Sequence, residues 1–202
     1  MYDLSNVKIL VVEDNRHMRQ LLLAVLRALG IRSTREAGDG SEGLGQLSEF
    51  LPDLVICDWE MPGLDGPGFV KMVRQGADSA NPFVPIIMLT GHADASRVLI
   101  ARDLGANEFL VKPMSPQALY TRIMRIIEEP RMFVNNGGYF GPCRRRRQIP
   151  WSGVDRRKSG QIENAEQQQG VDNSFAGGDN DLDFGWELDF DPNNQLYDER
   201  GG

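Results

Sequence analysis

Cysteine is scarce in this chain: it occurs twice in 202 residues, as Cys57 and Cys143, in stretches of different character. Two thiols placed this way exclude a disulfide-stapled framework and a four-ligand zinc site, and predict two reduced cysteines. The amino-terminal MYDLSNV lacks the basic start and apolar stretch of a secretion signal. No apolar run approaches the ~18–20 residues needed to span a membrane. A cytoplasmic protein with no membrane span is the expectation. Helix-turn-helix patterning, zinc-finger spacing and an aromatic RNA-binding signature are also missing, so sequence-specific DNA reading is not expected.

Hydrophobic residues make up 41% of the chain, enough to fill one domain of ordinary size with an appendage left over. Between residues 7 and 129 short apolar runs alternate with helical patterns. The runs at 7–12, 54–57, 86–89 and 108–111 read as strands, with a weaker one at 32–36. Met18, Leu21, Leu22, Val25, Leu26 and Leu29 recur at helical spacing, and Gly30 follows where such a helix would stop. Leu119, Ile123, Ile126 and Ile127 repeat the pattern between Pro116 and Pro130. Strands apolar on both faces and joined by helical crossovers require a parallel sheet covered on both sides, the doubly wound α/β class, with ligands bound beyond the strands' carboxyl ends. The domain is placed at residues 5–129.

Beyond Pro130 the composition shifts to NNGG, RRRR, QQQ and GGDND, and helical periodicity stops, which predicts a largely disordered tail over 130–202. Its charge is segregated. Residues 130–160 hold eight Arg or Lys against one Asp, whereas 161–202 hold one Arg against eleven acids. FGPCRRRR at 140–147 and WSGVDRR at 151–157 form an imperfect repeat of aromatic, glycine and arginines. Arg144, Arg145, Arg146 and Arg147 suit a polyanion or an acidic protein face. Leu182, Phe184, Trp186, Leu188 and Phe190 alternate with acids except at Gly185, the pattern of an extended docking segment centred on Trp186.

Four features fall at the carboxyl ends of four strands: Glu13 with Asp14, Asp58, Thr90, and Lys112 with Pro113. A doubly wound sheet brings such ends to one edge. Three converging carboxylates repel, and a hard cation such as Mg²⁺, which takes oxygen ligands and keeps several waters, offsets that repulsion. Asp58 can then act as a nucleophile toward a phosphoryl group while Lys112 neutralises charge on its oxygens and Thr90 donates a hydroxyl hydrogen bond.

ILVVEDN at 9–15, LVICDWEMPGLDG at 54–66, IIMLTG at 86–91 and LGANEFLVKP at 104–113, in this order, resemble the response-regulator receiver family of two-component signalling, which includes the chemotaxis receiver. The resemblance covers about residues 5–129. It implies a flavodoxin-like sheet of five parallel strands in the order 2-1-3-4-5 with five helices. It also implies that Mg²⁺ is held by Glu13, Asp14, Asp58 and the backbone carbonyl of Glu60, and that the Lys112–Pro113 bond is cis. Asp58 is implied to accept its phosphoryl group from a histidine kinase or a histidine phosphotransfer protein, with Thr90 and Lys112 binding the phosphoryl oxygens. Phe109, three positions before the lysine, occupies the place of an aromatic residue that swings inward when the threonine moves. Many members have Tyr there, so a hydroxyl contact to an output partner is lost. The face formed by the fourth helix, fifth strand and fifth helix is the implied partner surface. Glu60 and His92, each two residues past a site residue, flank the phosphoryl position and can modulate the approach of water.

Two other readings stay open at this stage. Glu60, two residues after Asp58, has the spacing of the general acid in aspartyl-nucleophile phosphohydrolases, although no cap domain accompanies it. The arginines alternatively support a nucleic-acid-binding regulator. Apart from self-phosphorylation and autodephosphorylation at Asp58, no enzymatic activity is expected.

Overall fold

A strand apolar on both faces is stable only in the interior of a covered sheet, and the chain builds such a sheet from its most apolar runs. The computed structural model describes residues 3–92, 94–136 and 138–144. In chain order the first half holds β1 (Lys8–Val12), α1 (Arg16–Ala28), β2 (Ser33–Ala37), α2 (Gly40–Phe50), β3 (Leu54–Asp58) and α3 (Gly66–Gln75). The second holds β4 (Ile86–Thr90), α4 (Ala95–Leu104), β5 (Glu108–Val111), α5 (Pro116–Glu128), β6 (Phe133–Asn136) and β7 (Tyr139–Pro142). β1 to β5 form one parallel sheet in the order β2-β1-β3-β4-β5, as expected from the sequence.

Position in the sheet follows composition. LVICD of β3 and IIMLT of β4 are buried throughout, whereas STREA of β2, at the edge, keeps Arg35 and Glu36 in solvent. Because side chains alternate between faces, Ile9, Val11, Ile56, Ile87 and Leu89 join Leu22, Leu26, Leu119 and Ile123 in one cluster with α1 and α5. Each such side chain stabilises the fold by roughly 1.5–3 kcal/mol when fully buried. Five helices begin on a side-chain cap: Asn15, Asp39, Asp65, Asp94 and Ser115 each accept a backbone N–H of the first turn. All five caps are on the loops that follow β1 to β5, so capping also fixes where these loops leave the sheet.

Order does not end at residue 129. β6 and β7 pair antiparallel, with Asn136 opposite Tyr139 and a two-residue connection in which Gly138 has φ +101°. The NNGG that reads as the onset of a low-complexity tail contains the turn of a hairpin. Phe133 and Phe140 meet Phe83, with ring centroids 5.2 Å from it in both cases. Below them buried Arg74 donates to the carbonyls of Gly105 (2.9 Å) and Pro82 (2.8 Å) and to Asn107 Oδ1 (3.2 Å), with its guanidinium carbon 5.1 Å from the Phe133 ring centre. Burial pushes the Arg74 pKa down to about 10. Gly141 lies against Gly105 so closely that a Cβ would come within 2.8 Å of the Gly105 Cα. The extension from 130 to 144 is thus packed onto the loops at the amino ends of β4 and β5.

Candidate functional site

The parallel register aligns the strand ends. Val12 pairs with Cys57, Asp58 with Leu89, and Thr90 with Val111, so Glu13, Asp58, Thr90 and Lys112 emerge at one edge. The loop backbone is fixed by further bonds: Trp59 N–H donates to Leu89 O (2.8 Å), Lys112 N–H to Thr90 O (2.6 Å), and Gly66 N–H to Trp59 O (3.0 Å). A Cβ on Gly66 would lie 2.2 Å from the carbonyl oxygen of Asp58, so glycine is required for α3 to start this close to the site. The Lys112–Pro113 bond is cis.

Lys112 Nζ lies 2.7 Å from Glu13 Oε2 and 2.8 Å from Asp58 Oδ1. The same Asp58 oxygen accepts the Trp59 N–H at 2.8 Å, and neither bond engages Oδ2. Glu13 and Asp58 are 1% and 6% exposed, while Asp14 is open to solvent. Burial raises the Glu13 pKa, the Lys112 hydrogen bond opposes that rise, and the charge of Asp58 adds to it. Burial alone would lower the Lys112 pKa, but its hydrogen bonds to Asp58 and Glu13, with their charges, lift it above the ordinary lysine value. One carboxylate oxygen each from Glu13, Asp14 and Asp58 all lie within 4.8 Å of one another. Octahedral Mg²⁺ holds oxygens at ~2.0–2.1 Å, which puts ligand oxygens ~3–4 Å apart. Three carboxylate oxygens gathered at this range are the kind of donor set such an ion takes. An open groove of about 380 Å³ lies at Asp14, lined also by Trp59, Glu60, Met61, Pro62 and Asp65.

Thr90 is fully buried, and its hydroxyl accepts the backbone N–H of His92 at 3.2 Å. Phe109 is 4% exposed and meets Trp59 edge-on, with centroids 6.3 Å apart. His92 Nδ1 lies 3.6 Å from Glu60 Oε1, both side chains being largely exposed. Sequence reading missed Arg97. From the first turn of α4 it contacts Glu60, Thr90, Asp94 and the face of Trp59. Its hydrogen bond and charge hold the Glu60 carboxyl below the usual range. An arginine early in a helix carries no sequence signal for this, because Glu60 and Trp59 reach it from the loop after β3, nearly forty residues earlier in the chain.

Cys57 and Cys143 are free thiols, as expected, and burial pushes the Cys57 thiol well above its ordinary value. Arg144 lies 3.3 Å from Asp103 and 4.1 Å from the Tyr139 ring centre, within the ordered extension. Arg145, Arg146, Arg147, Trp186 and the alternating segment around Trp186 lie outside the described residues. Among the described residues no helix is long and apolar enough to cross a membrane.

Comparison with known proteins agrees with this geometry. The chemotaxis protein CheY-3 of Vibrio cholerae is 36% identical over 124 residues, covering 61% of this chain and 94% of that protein. CheY of Pseudomonas aeruginosa is 36% identical over 122 residues, covering 60% and 97%. The DNA-binding response regulator MtrA of Mycolicibacterium smegmatis is 37% identical over 121 residues, covering 60% of this chain and half of MtrA. Among solved structures, V. cholerae CheY4 superposes with a TM-score of 0.55 at 33% identity, covering 59% of this chain and 98% of CheY4. Residues 9–124 match the model of the response regulator receiver domain, and on that match the chain belongs to the response regulator receiver family.

Proposed function

We propose that this protein is a phosphorylation-controlled response regulator in which Asp58 accepts a phosphoryl group from a histidine kinase or a histidine phosphotransfer protein. The observation that carries this reading is the single ammonium of Lys112 joining Asp58 and Glu13 (2.8 and 2.7 Å), with an Asp14 oxygen beside them. Mg²⁺ bound by Glu13, Asp14, Asp58 and the Glu60 carbonyl would screen charge between the carboxylates and the incoming phosphoryl group.

An Asp58 oxygen forms the new P–O bond as the donor's P–N bond breaks; the nitrogen keeps the bonding pair, and the ring, already protonated on its other nitrogen, leaves as neutral imidazole. Lys112 follows the charge that shifts onto the phosphoryl oxygens, and Thr90 donates its hydroxyl to one of them. Thr90 and Phe109 bias the packing of the α4-β5-α5 face, where Ile100 of α4 is 47% exposed and available to a protein partner. His92 and Glu60 stand where they can influence the water that later hydrolyses the acyl phosphate.

The phosphohydrolase reading is disfavoured by Glu60. A general acid needs a raised pKa, and Arg97 holds this carboxyl low. The test is phosphotransfer from a phosphorylated kinase or phosphotransfer protein. Label should move to the wild type and not to Asp58→Asn; transfer to both would contradict the assignment.

A further inference from the structure

Arg97 directs three nitrogens to three different groups. Nη2 lies 2.8 Å from Glu60 Oε1, Nη1 donates to Thr90 Oγ1 at 3.2 Å, and Nε lies 3.4 Å from Asp94 Oδ2. The guanidinium carbon stands 5.4 Å from the centre of the Trp59 ring, and the side chain is 22% exposed. A planar fork on a flexible stem can hold these four groups together; a lysine ammonium cannot. The ion pairs to the exposed Glu60 and Asp94 are individually weak. Their effect is to orient the guanidinium toward Thr90.

Thr90 Oγ1 receives two N–H groups, from Arg97 Nη1 and from the His92 backbone. A hydroxyl has two acceptor positions and one proton. With both acceptor positions filled, the proton is what Thr90 has left to give. A cationic donor also polarises the hydroxyl, which makes that proton a stronger donor. The hydroxyl is therefore oriented before any anion arrives, so less entropy is lost when one binds.

The geometry points to Arg97 as a positioning residue that pre-sets Thr90 to donate to an oxyanion on Asp58 and ties that contact to the first turn of α4. This rests on the reading of Asp58 as phosphoacceptor. It adds a route to the output face: an anion at Asp58 reaches α4 through Thr90 and Arg97, in parallel with the packing of Phe109 against Trp59. Neither Arg97 nor this route was assigned by the sequence motifs.

The experiment is a beryllofluoride titration of the full chain in Mg²⁺, followed by the tryptophan emission change that Asp58→Asn lacks. It compares wild type, Arg97→Ala, Arg97→Lys, Thr90→Ala and the Arg97→Ala/Thr90→Ala double variant. Arg97→Ala should weaken binding about five- to tenfold, the scale of one ordinary hydrogen bond, because Arg97 acts on the anion only through Thr90. Arg97→Lys, which keeps the charge and loses the fork, should recover less than half of that loss on a logarithmic scale. In the Thr90→Ala background, removing Arg97 should change affinity less than about twofold, since the contact it supports is already gone. Equal or tighter binding by Arg97→Ala, full recovery by Arg97→Lys, or an undiminished Arg97 effect without Thr90 would each overturn the proposal. Failure of the wild type itself to bind beryllofluoride would instead remove the reading of Asp58, and the Arg97 role with it.

Discussion

Lys112 Nζ lies 2.7 Å from Glu13 Oε2 across ninety-nine residues of sequence, and its second contact, at 2.8 Å, is to Asp58 Oδ1. One ammonium thus ties β5 to the ends of β1 and β3 and offsets two buried carboxylates. The pKa of Lys112 is raised in the fold, so its stabilising contribution is complete below the unfolded lysine value and is lost only as pH rises through the folded one. At neutral pH the full contribution is present.

Replacing Lys112 by Ala leaves Glu13 and Asp58 facing each other without a cation. Breaking a buried ion pair by removing one partner costs ~3–5 kcal/mol. Because Lys112 keeps 16% of its side chain in water, a loss on the order of 2–3 kcal/mol is expected in urea unfolding. Asp58 should still be labelled, more slowly, while partner binding fails. An unchanged urea midpoint would show that the ion pairs do not support the fold.

Magnesium should raise the thermal midpoint of the wild type by mass action and leave Asp14→Asn nearly unchanged. The pKa of Glu13 is raised in the fold, chiefly by burial, so its favourable contribution is complete below the unfolded carboxyl value and disappears as pH rises through the folded one. Ionised Glu13 therefore weighs against the metal-free protein at neutral pH, and protons compete with the metal for it. The magnesium-induced shift in midpoint should shrink as pH falls toward the carboxylate range. A shift independent of pH would separate Glu13 from the metal.

Glu60→Gln separates kinetics from stability. Its partners His92 and Arg97 hold an exposed carboxylate, so the urea midpoint should stay where it is in the wild type. The lifetime of phosphorylated Asp58 should change several-fold, because the charge beside the approaching water is gone. An unaltered lifetime would reduce Glu60 to a solvated loop residue.

The hairpin should be part of the folding unit. Phe140→Ala removes a ring from the cluster with Phe83 and Phe133. Full Phe→Ala truncations in cores cost ~3–5 kcal/mol, and this half-buried site should lose about 1–2 kcal/mol. Gly141→Ala should also destabilise, by forcing a Cβ against Gly105 and the Tyr139 hydroxyl. Ending the chain at residue 129 with no loss of stability would contradict a structural role for the extension.

The strand ends were legible because strand period, helical crossovers and acids at strand termini are local signals that converge on one sheet edge. Glu13, Asp14, Asp58 and Lys112 could therefore be brought together without coordinates, and the order of the five strands followed from the family resemblance. The hairpin was not legible. NNGG reads equally as low complexity or as a turn, and what decides between them is Phe83, fifty residues before Phe133. Arg97 was hidden for a related reason: on a helix wheel it is a solvated arginine, and its meaning comes from Glu60 and Trp59, on the loop after β3, and from Thr90, at the end of β4.

The most direct test of the account is exposure of wild type and Asp58→Asn to acetyl phosphate, with Mg²⁺ and with a chelator, followed by intact-mass measurement. The wild type should gain one acid-stable, base-labile phosphoryl group only when Mg²⁺ is present, and Asp58→Asn should gain none. Equal labelling of the two proteins, or labelling of the wild type that ignores the metal, would contradict Asp58 as the phosphoacceptor of a magnesium-dependent site.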